Sequence, residues 1–232
     1  MPKRTYTQAR LARLKVIRAK KRKPNARATT SRVKKICQNI IDKNTEFKRF
    51  DDELSATSIN NITNGQILWK GPMIPQGDTA LQRDGNEVFL RKLKFNVLFK
   101  SVGNSNRVRL ILVQYPQTIG SVGTLSDVLK DVTAQHVMIS PWLKNGPVKY
   151  RILHNRIYQL GTKGVMDGSY KYQSFKIPVR FPKAGMKLHY DGPTTQVPDK
   201  NSLVLYCVAD QALTGANMNI CDMQTEAVFT DV

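Results

Sequence analysis

Not one Asp or Glu stands in the first 35 residues of this 232-residue chain, yet 14 Lys or Arg do. The other 197 residues hold 23 basic and 17 acidic groups, a net of +6, so 14 of the formal +20 charges sit at the front. A like-charge block repels itself and buries little, which excludes a packed core there and predicts disorder until a partner arrives. Histidine is scarce as well. His136, His154 and His189 fall in different segments with no Cys, Asp or Glu at ligand spacing, a pattern that speaks against zinc. Three cysteines, Cys37, Cys207 and Cys221, are an odd number without metal-type spacing. The N-terminus is charged and lacks the apolar core of a secretory signal, so an intracellular chain with reduced thiols is expected. No run approaches the roughly 18 apolar residues of a membrane span, so no membrane insertion is expected.

Catalytic devices are missing too. No Gly is followed by Lys-Ser or Lys-Thr at the spacing of a phosphate loop, and there is no G-x-S-x-G elbow. Adjacent carboxylates in "DDE" (51–53) point to opposite sides of an extended chain, so they read as charge balance against Lys48 and Arg49. Asp78, Asp84 and Glu87 lie close together in a loop and could hold calcium, a weaker reading than a plain solvated loop. No cofactor is expected. The chain reads as a binding or structural protein, not an enzyme.

What is present begins at about Ser55, where apolar residues recur with period two. In "RKLKFNVLFK" (91–100), Leu93, Phe95, Val97 and Phe99 alternate with a cationic face, and "RVRLILVQY" (107–115) reads as its hairpin partner. Further strands are predicted at 65–70, 148–153, 156–160, 172–181, 202–210 and 226–231. One short helix is predicted over 123–132, with Thr124 as N-cap and Asp127 three residues on. Roughly eight strands separated by Gly/Pro-rich loops predict an all-β, antiparallel two-sheet sandwich over 55–232, preceded by a basic arm and lead-in over 1–54.

The arm carries the clearest chemistry. Lys3, Arg4, Arg10, Arg13, Lys15, Arg18, Lys20, Lys21, Arg22, Lys23, Arg27, Arg32, Lys34 and Lys35 are the candidate nucleic-acid-binding residues. They bind phosphates by charge neutralisation and counterion release, with little sequence preference. Within the arm, Leu11, Leu14 and Ile17, and then Val33, Ile36 and Ile40, form narrow apolar stripes that would become helical once phosphates neutralise their surroundings. "KKRKP" (20–24), with Lys20, Lys21, Arg22 and Lys23, has the pattern of a nuclear localisation signal. On the body, Lys92 and Lys94 share a strand face and are candidates for secondary phosphate contacts, with Arg91, Arg107 and Arg109 expected across the hairpin. Tyr150, Tyr158, Tyr170 and Tyr172 could stack on bases, although core packing is the commoner role for each. Trp142 and Trp69 are candidate subunit-interface anchors. From Asp199 onward the sign reverses, with five acidic groups and one Lys.

A cationic arm followed by "IPQGDTALQRDGNEVFLRKLKFNVLF" (74–99) resembles the capsid proteins of circular Rep-encoding single-stranded DNA viruses, the circovirus-like group. The matching positions are Ile74, Gln76, Gly77, Arg83, Gly85 and Asn86. "KYRILHNRIYQL" (149–160) and "NSLVLYCVAD" (201–210) look like later segments of that family, although His154-Asn155-Arg156 stands where the family carries Tyr-Asp-Lys. The resemblance implies an eight-stranded jelly-roll subunit, about sixty copies in a closed T=1 icosahedral shell, and an arm turned inward onto the genome. It also implies passage into the host nucleus through the host import machinery. Plant satellite-virus coats share this plan with an RNA genome, so single-stranded DNA is favoured over RNA on the resemblance and on "KKRKP". The alternative is a cellular nucleic-acid-binding protein, ribosomal or chromatin-associated, with a basic tail on a β-sandwich.

Overall fold

The computed structural model describes residues 26–44, 46–59, 65–102, 106–117, 123–133, 136–160, 170–182, 184–210 and 219–231. The chain divides into two units, Met1–Thr45 and Glu46–Val232. Within the first, α1 (Ala26–Asn44) places Val33, Ile36 and Ile40 at three- and four-residue spacing along one stripe. At 19 residues it exceeds the length at which isolated helices are marginal.

The second unit is built from β1 (Lys48–Ile59), β2 (Gln66–Gly71), β3 (Glu87–Val102), β4 (Asn106–Tyr115), β5 (Arg151–Leu160), β6 (Tyr170–Arg180), β7 (Met186–His189), β8 (Ser202–Ala209) and β9 (Asn219–Asp231). One antiparallel sheet runs β1-β9-β3-β6 with β7 also on β3, and the other runs β2-β8-β4-β5. This interleaved order is the jelly roll. It has nine strands where eight were expected because one edge partner of β3 is interrupted: β6 pairs Lys92–Val102 and β7 pairs Glu87–Leu90 along the same β3. The chain loops out between Arg180 and Met186 and re-enters through Gly185 at φ +82°, where a Cβ would meet the Leu90 carbonyl at 3.0 Å.

The main core lies between the sheets. Leu93, Phe95, Val97 and Phe99 of β3 point inward and are essentially inaccessible, opposite Val179 and Ile177 of β6 and Ala227 and Met223 of β9. Trp69 packs edge-on to Phe95 at 5.0 Å and donates to Asp52, so it belongs to the core and not to a subunit interface. A second cluster covers the opposite face of β4 and β8. There Ile111, Val113, Tyr115, Val204, Tyr206 and Val208 pack under Leu125, Val128, Leu129, Val137 and Met138 from the long β4–β5 connection. Both faces of β8 are thus dry, which explains why "SLVLYCVA" is buried at every position and does not alternate.

Several expectations are corrected. β3 and β4 are not a hairpin: they lie in different sheets, because β3 pairs with β6, β7 and β9 while β4 pairs with β5 and β8. The two strands expected at 148–153 and 156–160 are one, β5, carried through His154-Asn155 by Asn155 accepting from Arg109 at 2.9 Å. The helix expected over 123–132 is a single 3₁₀ turn at Leu125–Asp127, started by the Asp127 carboxylate accepting from the Thr124 N–H at 2.7 Å. A strand not foreseen, β1, begins at Lys48. Its period is broken by a register shift between Leu54 and Thr57, with Ala56 at φ +46°, so alternation alone does not reveal it.

Candidate nucleic-acid interface

Two surfaces carry the cations. On α1, Arg32, Lys34 and Lys35 are exposed, as are the stripe residues Val33, Ile36 and Ile40, each about half accessible. Arg27 lies in the same helix. Lys3, Arg4, Arg10, Arg13, Lys15, Arg18 and the Lys20–Lys23 cluster fall outside the described residues, as does the stripe Leu11, Leu14 and Ile17.

The second surface is the outward face of the five-stranded sheet. Directly opposed residues of an antiparallel ladder share a face. Lys92 stands opposite Arg180, Lys94 opposite Pro178, Asn96 opposite Lys176 and Lys100 opposite Tyr172. On the other flank of β3, Lys94 faces Glu226, Asn96 faces Gln224 and Leu98 faces Asp222, while β1 adds Asp51 and Glu53. The face is therefore divided, cationic along β3 and β6 and anionic along β9 and β1. A depression of about 330 Å³ follows the anionic side, lined by Arg49, Asp51, Asp52, Glu53, Asn96, Gln224, Thr225 and Glu226.

Of the two lysines singled out by sequence, Lys92 donates to Glu226 at 2.6 Å and so is partly spent on the body itself. Arg107 and Arg109 do not join this face. Arg107 pairs with Asp210 at 2.8 Å, and Arg109 is buried in the other sheet, donating to the Val137 and Ser140 carbonyls with its guanidinium 5.1 Å from the Trp142 ring. Arg91 donates to the Thr230 hydroxyl. Among the tyrosines, Tyr150 donates to the Val128 and Leu143 carbonyls and Tyr158 packs 4.2 Å from Phe175, so both serve the fold. Tyr172 is 61% exposed. Lys176 and Arg180 were not foreseen, because only the β3–β6 register places them beside Lys94.

The I-x-Q-G and R-x-G-N segments have a structural task. Arg83 is fully buried without a carboxylate partner, and its five N–H donors reach the carbonyls of Ile74 (3.2 Å), Gly85, Gly192 (2.9 Å) and Thr195 (3.1 Å) and the Asn86 side chain (3.3 Å). Its guanidinium lies 4.3 Å from the centre of the Tyr190 ring, whose hydroxyl donates to Pro72. Gly77 donates to Arg83 and Gln76 to Asp84 through the backbone carbonyls. Burial lowers the Arg83 pKa and raises that of Tyr190. One guanidinium thus holds the β2–β3 loop against the loop after β7.

The acidic groups of the last 34 residues do not form an acidic end. Asp199 meets His189 at 2.5 Å, Asp210 meets Arg107, Glu226 meets Lys92 and Asp231 meets Lys48 at 2.8 Å. Lys48, buried and flanked by Asp84 at 2.5 Å as well, is not the local counterion of the 51–53 carboxylates, whereas Arg49 does pair with Asp51. Glu87 is taken by Lys187 at 2.8 Å, so two of the three carboxylates considered for calcium face lysines. Among the described residues no group of three or more His, Cys, Asp or Glu is placed to hold a metal. Nor is any helix among them long and apolar enough to cross a membrane.

The hydrogen bond from Lys92 holds Glu226 below its ordinary value of 4.5. A depressed carboxylate contributes stability that is complete above the unfolded value and fades as pH falls through the lowered one. Glu226→Gln should therefore cost about 0.5 kcal/mol at neutral pH, a partly exposed pair being weak. The cost should vanish in thermal melts well below pH 4. A deficit that persists unchanged in acid would assign the effect to packing.

These features define a viral coat protein. Residues 19–232 match the model of the satellite tobacco necrosis virus coat protein family, and the chain belongs to that family. No curated protein sequence matches it. Among solved structures it is similar to the Desmodium yellow mottle tymovirus (10% identity, TM-score 0.37, covering 81% of this chain and 82% of that one). It is also similar to the mud crab tombus-like virus (12%, 0.39, 80% and 80%) and the Penaeus vannamei nodavirus (10%, 0.39, 80% and 54%). The resemblance to circovirus-like single-stranded DNA viruses is corrected by the family match, and with it the preference for DNA over RNA, the nuclear localisation and the nuclear import partner. The physical reason lies in the motifs. The I-x-Q-G and R-x-G-N segments build a clasp inside a jelly roll, a need that arises whatever genome the shell encloses. Four adjacent cations inside a basic arm arise equally from phosphate binding.

Proposed function

We propose that this coat protein assembles with identical copies, about sixty in the simplest closed icosahedral shell, and that residues 1–35 package a single-stranded RNA genome. The observation that carries this is the separation of charge from fold. Fourteen cations without one carboxylate precede 197 residues in which 23 basic and 17 acidic groups come near to balance. Such an arm condenses a polyanion and reads no bases. Family membership supports a structural role in the virion over the cellular nucleic-acid-binding alternative, and RNA is taken as the genome because plant satellite-virus coats, as noted from the sequence, share this plan with an RNA genome. The shell domain is taken as 46–232 and the packaging arm as the cationic residues 1–35 ahead of it. No enzymatic role is proposed. Electron microscopy of the purified full-length protein should show uniform closed particles, and the nucleic acid extracted from them should be degraded by ribonuclease and resist deoxyribonuclease. A monomer at every salt and protein concentration would overturn the assembly, and particles holding only DNA would overturn the genome assignment.

A further inference from the structure

The geometry points to a second single-stranded nucleic-acid seat on the shell domain itself: the β3–β6 half of the outward sheet face, where Lys94, Lys176 and Arg180 form a zigzag of cations with Tyr172 at one end. It rests on the packaging reading above and names a surface that the arm does not supply. The register places these groups together. Lys94 faces Pro178, midway along β6 between Lys176 and Arg180, so each diagonal step is about 7–8 Å. That step suits consecutive phosphates of an extended strand. Lys176 and Arg180 are exposed and Lys94 is half-exposed, and among the described residues none of the three forms an ion pair. Lys176 and Arg180 therefore present their charge to a partner, Lys94 does so while sharing its field with Glu226 opposite it on β9, and Lys92 is bonded to Glu226 outright.

The rest of the face selects the partner. Asn96 and Ser174 add polar groups between the cations, and Tyr172, 61% exposed, offers a ring on which one base can stack. A subunit interface would instead centre on a buried apolar patch with charge excluded from it. The neighbouring half carries Asp51, Glu53, Asp222 and Glu226, which repel a polyanion and confine it to β3 and β6. Binding there is electrostatic with one stacking contact, so it tolerates any sequence.

The test uses the full-length chain and a fluorescent 20-nucleotide oligouridylate, with affinity followed against salt. Wild type, the triple variant Lys94→Gln/Lys176→Gln/Arg180→Gln and an arm variant with Lys20, Lys21, Arg22 and Lys23 changed to Gln are compared. Losing three contacts should make the log–log salt slope shallower by about 2 and weaken binding roughly tenfold or more at 0.15 M salt. Tyr172→Leu should weaken binding about tenfold with the slope unchanged. Asp51→Asn/Glu53→Gln should tighten it. The substituted side chains of the body are exposed or half-exposed, and matching melting curves certify the fold. An unchanged slope in the triple variant beside a reduced slope in the arm variant overturns the seat and leaves the packaging arm standing. The reverse pattern overturns the arm and keeps the seat. Loss of particle formation with the slope unchanged identifies the face as a contact between copies, which also overturns the seat.

Discussion

Removing residues 1–35 should weaken binding of the full-length protein to single-stranded RNA by about a thousandfold or more at 0.15 M salt while leaving the sandwich folded. If about ten of the fourteen cations engage a strand, the arm contributes about −7 to the wild-type log–log salt slope. The truncated chain should retain only the shallow slope of a few body contacts. The arithmetic follows from counterion release, so raising salt fourfold should weaken the wild type by about 10⁴ and the truncated chain far less. Folding is the second readout. Among the described residues, the shell core between the sheets draws on positions from Phe50 to Phe229, all beyond the deleted segment, so the melting transition should survive the deletion. A truncated protein that still binds with the wild-type slope would remove the arm from packaging, and one that fails to fold would merge arm and body into one unit.

Replacing Arg83 should cost a large share of the fold's stability. Arg83→Met removes five hydrogen bonds at once and leaves the carbonyls of Ile74, Gly85, Gly192 and Thr195 short of a donor. Each unmet buried group costs about 1–3 kcal/mol, partly relieved by loop movement and water entry, so a total of about 3–5 kcal/mol is expected. Arg83→Lys should recover little of it. An ammonium has three donors on a point and not five in a planar fork, and it loses the stacking on Tyr190 at 4.3 Å. Urea unfolding followed by the fluorescence of Trp69 and Trp142 measures both variants. A loss below about 1 kcal/mol, or full rescue by lysine, would show that the two loops hold together without the clasp.

The clasp illustrates how far the amino-acid order can be read. Ile74, Gln76, Gly77, Arg83, Gly85 and Asn86 stand out as a pattern, yet nothing in the pattern distinguishes a family signature from a buried hydrogen-bond hub. That role depends on Gly192 and Thr195, more than a hundred residues away. The same distance explains the misplaced hairpin. β3 alternates, β4 is a compact apolar run, and the two are separated by a short turn-rich segment, but partner choice is set by long-range pairing with β9 and β8. It also explains the two cations that were not singled out. Lys176 and Arg180 look like ordinary outward residues of one strand, and they become neighbours of Lys94 only through the β3–β6 register.

Composition and periodicity alone determined the unequal sharing of charge, the all-β body and the inward set Leu93, Phe95, Val97 and Phe99. Those properties are local: like charges repel wherever the chain goes, and alternate side chains of a strand face one side whatever its partner. Tertiary structure decided which strands are neighbours, which cations are spent on carboxylates and which remain available, and that one strand is broken into β6 and β7. Pairing partners and ion pairs are settled only when segments far apart in the chain meet and compete for the same edges and the same charges.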